Sequence, residues 1–81
     1  MTVRVLFFAH CRDLFSASEL VEEIKPGFTL EELANVLIKK NNLRPFQLNS
    51  ILFSVNEEWA GPQTVLKEND VVAFLPPVAG G

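Results

Sequence analysis

One segment of this chain sets the terms for the rest. Between residues 28 and 42, Leu30, Leu33, Ala34, Leu37 and Ile38 recur at i, i+3, i+4, i+7 and i+8, the spacing of one α-helical face. Thr29 stands at the N-cap, and Glu32 three residues on completes a capping box. Phe28, just before the cap, is placed to pack on Leu33 as a hydrophobic staple. Glu31 and Glu32 lie at the positive end of the helix dipole and Lys39 and Lys40 at the negative end. Asn41-Asn42 stops the helix. A single amphipathic helix must bury its stripe against something. The remaining apolar runs are short and rich in β-branched and aromatic residues, so the partner is a sheet, and the class is α+β: a mixed sheet packed on one main helix.

Val3-Arg4-Val5-Leu6-Phe7-Phe8-Ala9 reads as the first strand. Its alternation puts Val3, Val5, Phe7 and Ala9 on one face and Arg4, Leu6 and Phe8 on the other. Arg4 marks its own face as the wetter one, so Phe8 falls on a face that is not fully buried. Residues 10–13 read as a turn or a short helix. Residues 16–25 fit two patterns: a helix carrying Leu20, Val21 and Ile24 with Ser16 and Glu19 as a capping box, or a strand ending at the turn signal Pro26-Gly27. Residues 43–49 form a connector containing Arg44-Pro45. Residues 51–55 read as a strand and 57–60 as a short partner strand stopped by Gly61-Pro62. Residues 67–70 form a turn. Residues 71–75 are the last strand, ended by Pro76-Pro77, which have no ladder donors. The first and last strands are the most apolar and belong at the centre of the sheet.

Eighty-one residues make one domain, and 48% apolar content supplies a core. No apolar run approaches the ~18 residues of a membrane span. The N-terminal residues lack the pattern of a signal peptide. The lone Cys11 forbids an internal disulfide, and a cytosolic location is expected. A net charge of −3 without a basic stripe argues against nucleic acid as a partner.

Side chains able to do chemistry are few. His10 and Cys11 are adjacent, but neighbours on a turn diverge, and catalysis by such a pair needs hydrogen-bond contact and a third orienting group. One His and one Cys do not make a zinc site, and no metal is expected. Glu22-Glu23, Glu31-Glu32 and Glu57-Glu58 read as solvated surface. No glycine-rich phosphate loop is present.

That leaves the end of the chain, Leu75-Pro76-Pro77-Val78-Ala79-Gly80-Gly81. Proline holds φ near about −65°, so residues 76–81 can extend roughly 18 Å beyond a domain of residues 1–75. Gly80 and Gly81 have no Cβ and fit a channel too narrow for a side chain. The terminal carboxylate is a poor electrophile, but adenylation would give it a leaving group that a sulfur or nitrogen nucleophile can displace. On composition alone, a frayed terminus fits as well.

A resemblance weighs on that choice. Val5-Leu6-Phe7-Phe8-Ala9, then Arg12, then Val55-Asn56, then residues 69–81 with the double proline before Val78-Ala79-Gly80-Gly81, resemble the small subunits of molybdopterin synthase, a ubiquitin-like β-grasp family of sulfur carriers. Asn69 stands where that family usually has Gly, and Asn tolerates the left-handed turn. The resemblance implies that residues 18–24 are the second strand of a hairpin. It also implies that Gly81 carries an acyl adenylate and then a thiocarboxylate, with Gly80 clearing the channel. ATP would be used by a ubiquitin-activating-type adenylyltransferase and sulfurtransferase rather than held by this chain. The charged tail would insert into the large synthase subunit, in a heterotetramer, and pass sulfur to cyclic pyranopterin monophosphate. The catalytic side chains would lie mainly on that subunit.

Matching the family's pattern brings Trp59 and Leu75 onto apolar docking positions beside Phe8, with Arg12 contacting the activating enzyme. Against this, Trp59 and Leu75 each also read as core residues. Three other readings remain: a thiamin-type carrier, against which Pro76-Pro77 argues; a protein modifier joined through Gly81 to lysines; and a plain interaction domain.

Overall fold

The computed structural model of the protein describes residues 1–44 and 50–76. The connector at 45–49 and tail residues 77–81 lie outside the described residues. Along the chain the elements are β1 (Thr2–Phe7), α1 (His10–Phe15), β2 (Glu19–Glu23), α2 (Leu30–Lys40), β3 (Leu52–Val55), β4 (Glu58–Ala60) and β5 (Val71–Leu75).

α2 is built by its own sequence. Thr29 is extended at φ −96°, ψ 165°, and its Oγ1 accepts the Glu32 N–H at 3.2 Å. Glu32 Oε1 accepts the Thr29 N–H at 2.9 Å, closing the capping box. At the far end Asn41 donates from Nδ2 to the Leu37 carbonyl at 2.9 Å, and Asn42 turns left-handed at φ 54°. Leu30, Leu33, Ala34, Leu37 and Ile38 are all buried.

The sheet has the order β2-β1-β5-β3-β4, so β1 and β5 are interior, as their composition implied. They run parallel; the β1–β2, β3–β5 and β3–β4 pairs are antiparallel. Val3, Val5 and Phe7 of β1 and Val72 and Phe74 of β5 meet the α2 stripe in one core, with Cys11 and Phe15 of α1. Four phenylalanines fix its centre. Phe7 stacks on Phe15 at 4.5 Å between ring centroids, and Phe74 sits edge-on to Phe7, Phe15 and Phe53 at 5.3, 5.4 and 4.9 Å.

One open alternative is settled, in favour of the hairpin strand, and two expectations are corrected. Ser16 is not a helix start: it is the left-handed cap that ends α1, at φ 54°, and β2 follows. Pairing with β1 decides this, because it turns Leu20, Glu22 and Ile24 toward the core side and sends Val21 to the other face. Glu22 is therefore not solvated surface. It is 8% exposed, and the Lys40 Nζ reaches it at 2.9 Å from the end of α2. Ala9 does not continue the buried face of β1. The strand ends at Phe7, and Ala9 is exposed at φ 50°, ψ −130°.

Candidate functional site

Directly paired residues share a face of a sheet, so register sorts the side chains. Phe7, Phe74, Phe53 and Ala60 form one row and Val5, Val72 and Val55 another, both on the core side that α2 closes. The alternate rows point away from α2. One runs Leu6, Ala73, Ser54 and Trp59. The next sets Leu52 opposite Leu75, with Phe8 one step past the Phe7–Phe74 pair and so beside Leu75.

Phe8, Leu75 and Trp59 thus share the uncovered face. Trp59 is 69% exposed and Phe8 44%, while Leu75 is half-buried. Trp59 is not a core residue. β4 and β1 are separated by three strand spacings, about 14 Å at ~4.8 Å each, so Phe8 and Trp59 bracket a patch of that width. Leu52, also exposed, lies in the patch and was missed from sequence, although the alternation of β3 turns it outward. Phe8, Leu52 and Trp59 are exposed apolar side chains gathered on one face rather than scattered. Arg12 is exposed on α1, off the sheet, and is not part of these rows.

This patch adjoins the point where β5 stops. The Phe8 N–H donates to the Phe74 carbonyl at 3.1 Å, and the chain then turns away: the Cys11 N–H closes back on the Phe8 carbonyl at 3.0 Å. Ala9 sits at the first central position of that turn, in a backbone region normally left to glycine. Pro76 follows Leu75 and is half-buried. Residues Pro77, Val78, Ala79, Gly80 and Gly81, assigned to the tail from sequence, lie outside the described residues.

The other end of β5 is clamped by a cluster that sequence reading missed. Asn56 and Glu57 both take positive φ, 52° and 70°, in the tight turn between β3 and β4. From there the Asn56 Nδ2 donates to Asp70 Oδ1 at 2.8 Å, and its Oδ1 accepts the Val71 N–H at 2.9 Å. Asp70 Oδ2 accepts the Lys67 N–H at 2.8 Å. Asn69 supplies the left-handed turn before it, at φ 68°.

The domain's own side chains offer little chemistry. Cys11 is fully buried while His10 is exposed, and burial pushes the Cys11 thiol up, away from the thiolate a nucleophile needs. Among the described residues no three His, Cys, Asp or Glu side chains cluster to hold a metal ion, and no helix is long and apolar enough to cross a membrane. The start of α2 is spent as well. Its Leu30 and Glu31 N–H groups donate to the Thr64 and Pro62 carbonyls at 2.9 and 3.0 Å, and the next two are taken by Thr29. It has no free donors for a phosphate.

A mixed five-stranded sheet on one main helix, in this order, is the ubiquitin-like β-grasp fold. SAMP1 from Haloferax volcanii has it too, with a TM-score of 0.86 at 17% identity, each chain covered in full. The ThiS family profile matches residues 5–81, and the chain belongs to the ThiS family. It is 31% identical, over the whole of both chains, to the molybdopterin synthase sulfur carrier subunit of Chlamydomonas reinhardtii. It is also similar to a chain in the complex of subunits 1 and 2 of the molybdopterin-converting factor from Helicobacter pylori, at 32% identity and a TM-score of 0.69, with both chains fully covered.

Proposed function

We propose that this chain is the sulfur carrier subunit of a molybdopterin synthase, working through the carboxylate of Gly81. An activating enzyme uses ATP to adenylate that carboxylate. The outer sulfur of a donor persulfide displaces AMP to give an acyl disulfide. A second thiol then attacks the donor's sulfur, breaking the S–S bond to leave the thiocarboxylate on Gly81 and a disulfide on the donor side. The tail then enters the large synthase subunit and passes the sulfur to cyclic pyranopterin monophosphate, and two such transfers build the dithiolene. The observation that carries the reading is the placement of Phe8, Leu75 and Trp59 on one uncovered face beside the end of β5, immediately before Pro76-Pro77-Val78-Ala79-Gly80-Gly81. Full-length similarity to sulfur carrier subunits supports it. In this reading Phe8, Leu75 and Trp59 seat the large subunit, Arg12 contacts the activating enzyme, and the domain supplies docking while its partners supply catalytic side chains.

Deleting Gly80 and Gly81 tests the assignment. With the activating enzyme, ATP, a persulfide donor, the large subunit and cyclic pyranopterin monophosphate, the truncated chain should form no molybdopterin while keeping its melting temperature. Product at the full-length rate would overturn it.

A further inference from the structure

β4 is an edge strand, and one of its residues has its peptide groups turned outward. The Asn56 N–H donates to the Val71 carbonyl at 2.8 Å, so even positions of β3 bond toward β5 and odd positions, Phe53 and Val55, toward β4. Ala60 and Glu58 stand opposite those two. Trp59, opposite Ser54, therefore directs its N–H and C=O away from β3, to the open side of β4. A second segment behaves in the same way. Val65 forms an isolated antiparallel bridge with Thr29, and its bonds run from the Leu30 N–H to the Thr64 carbonyl and from the Leu66 N–H to the Phe28 carbonyl, both at 2.9 Å. This is the non-hydrogen-bonded kind of pair, so Val65 directs its own N–H and C=O away from Thr29. Trp59 and Val65 line one cleft of about 310 Å³, and their side chains are 69% and 54% exposed. The Asn56 and Asp70 side chains also line it, but they are bonded to each other and to the Val71 and Lys67 N–H groups.

The walls set the chemistry of an occupant. An outward N–H and C=O on each side suit the main chain of an extended segment, and the two apolar side chains beside them suit an apolar one between. A strand residue fills roughly 160 Å³, from a ~3.3 Å rise, a ~4.8 Å spacing and a ~10 Å layer, so the cleft holds about two residues. That matches the single outward residue of β4. A second copy cannot bring its own β4 here, because Thr64, Val65 and Lys67 wall that edge in each copy. The Trp59 ring lies on the face that seats the large subunit in the sulfur-carrier reading, and its peptide groups open on the cleft. We infer that an extended segment of the large subunit enters this cleft, pairs through its main chain with Trp59 and Val65, and seats an apolar side chain between them. This contact rests on the sulfur-carrier reading and extends it round the edge of β4 to Val65, which lies outside the face shared by Phe8, Leu75 and Trp59.

Amide exchange of the chain, free and bound to the large subunit, tests this contact. Binding should slow exchange at the Trp59 and Val65 amides by about 10-fold, the effect of one well-formed hydrogen bond. The Val21 amide, on the edge strand β2 at the far side of the sheet, should keep its free-state rate. Val65 is exposed, so Val65→Asp should keep the melting temperature of the unaltered chain. It should raise the Kd for the large subunit by about 10-fold or more, because its carboxylate would face an apolar side chain without a partner. A complex whose Trp59 and Val65 amides exchange at their free-state rates, or a Val65→Asp chain that binds as tightly as the unaltered one, overturns the inference and leaves the carrier reading standing. Failure of the unaltered chain to bind the large subunit would overturn both.

Discussion

Asp70 gives the most direct test of how β5 is held. The residue is 8% exposed, and its carboxylate accepts two hydrogen bonds, from Asn56 Nδ2 and from the Lys67 N–H, both at 2.8 Å. Hydrogen bonds to a charged group contribute about 1.5–3 kcal/mol each, and removing the acceptor strands both donors. Some water reaches a site at this edge, so Asp70→Ala should cost about 2–4 kcal/mol rather than the full sum. For a domain this small that is roughly 10–25 °C in melting temperature. Asp70→Asn should not rescue it. The site needs an acceptor facing both Asn56 and Lys67, and the Asn56 amide cannot flip to compensate because its own Oδ1 accepts the Val71 N–H at 2.9 Å. Every orientation leaves one donor facing another. Urea denaturation of Asp70→Ala, Asn56→Ala and the double variant should give a coupling of 0.5 kcal/mol or more, in the range of about 0.5–3 kcal/mol seen for residues in one network. An Asp70→Ala chain within about 0.5 kcal/mol of the unaltered one would refute the clamp.

Three further outcomes follow from the same geometry. Trp59→Ala should change stability by less than about 0.5 kcal/mol because the side chain is exposed. The same change should weaken binding to the large subunit by about 2 kcal/mol, some 30-fold by calorimetry; an unfolded variant would place Trp59 in the core. Ala9→Gly should raise the melting temperature by several degrees, because glycine adopts φ 50°, ψ −130° without the ~1–3 kcal/mol that a side chain costs there; a lower value would mean that the turn is unstrained. Cys11 gives a pH dependence. Burial holds its native pKa above the unfolded thiol's, so the native state keeps its proton longer. Its contribution is constant below the unfolded thiol's pKa of about 8.5 and is lost as pH rises past it. Urea midpoints from pH 7 to 10 should fall more steeply for the unaltered chain than for Cys11→Ala, and equal slopes would contradict the assignment.

Local chemistry wrote some elements plainly. α2 announced its period, its cap and both ends, and Asn69 announced its left-handed turn. β1 and β5 were legible from composition, and Phe8 from alternation against Arg4. Residues 16–25 were not, because Leu20, Val21 and Ile24 satisfy a helix and a strand equally until β1 is set beside them. Burial of Glu22 was equally hidden: it depends on Lys40 arriving from the end of α2, 18 residues away. Ala9 was misplaced by extending a strand's alternation past the turn that ends it. The exposed apolar face needed the register. Trp59 and Leu75 came from family resemblance, and only strand pairing puts them with Phe8 and adds Leu52. The Asn56–Asp70 clamp has no local signature, since its two residues are 14 apart and meet only when β3 lies against β5.

The measurement that bears most directly on the central claim is the intact mass of the chain after incubation with an activating enzyme, ATP and a sulfur donor. A gain equal to one oxygen replaced by one sulfur is expected, located by fragmentation at Gly81 and absent when Gly81 is removed. An unchanged mass with an enzyme competent on a known carrier, or conjugates of higher mass in its place, would contradict it.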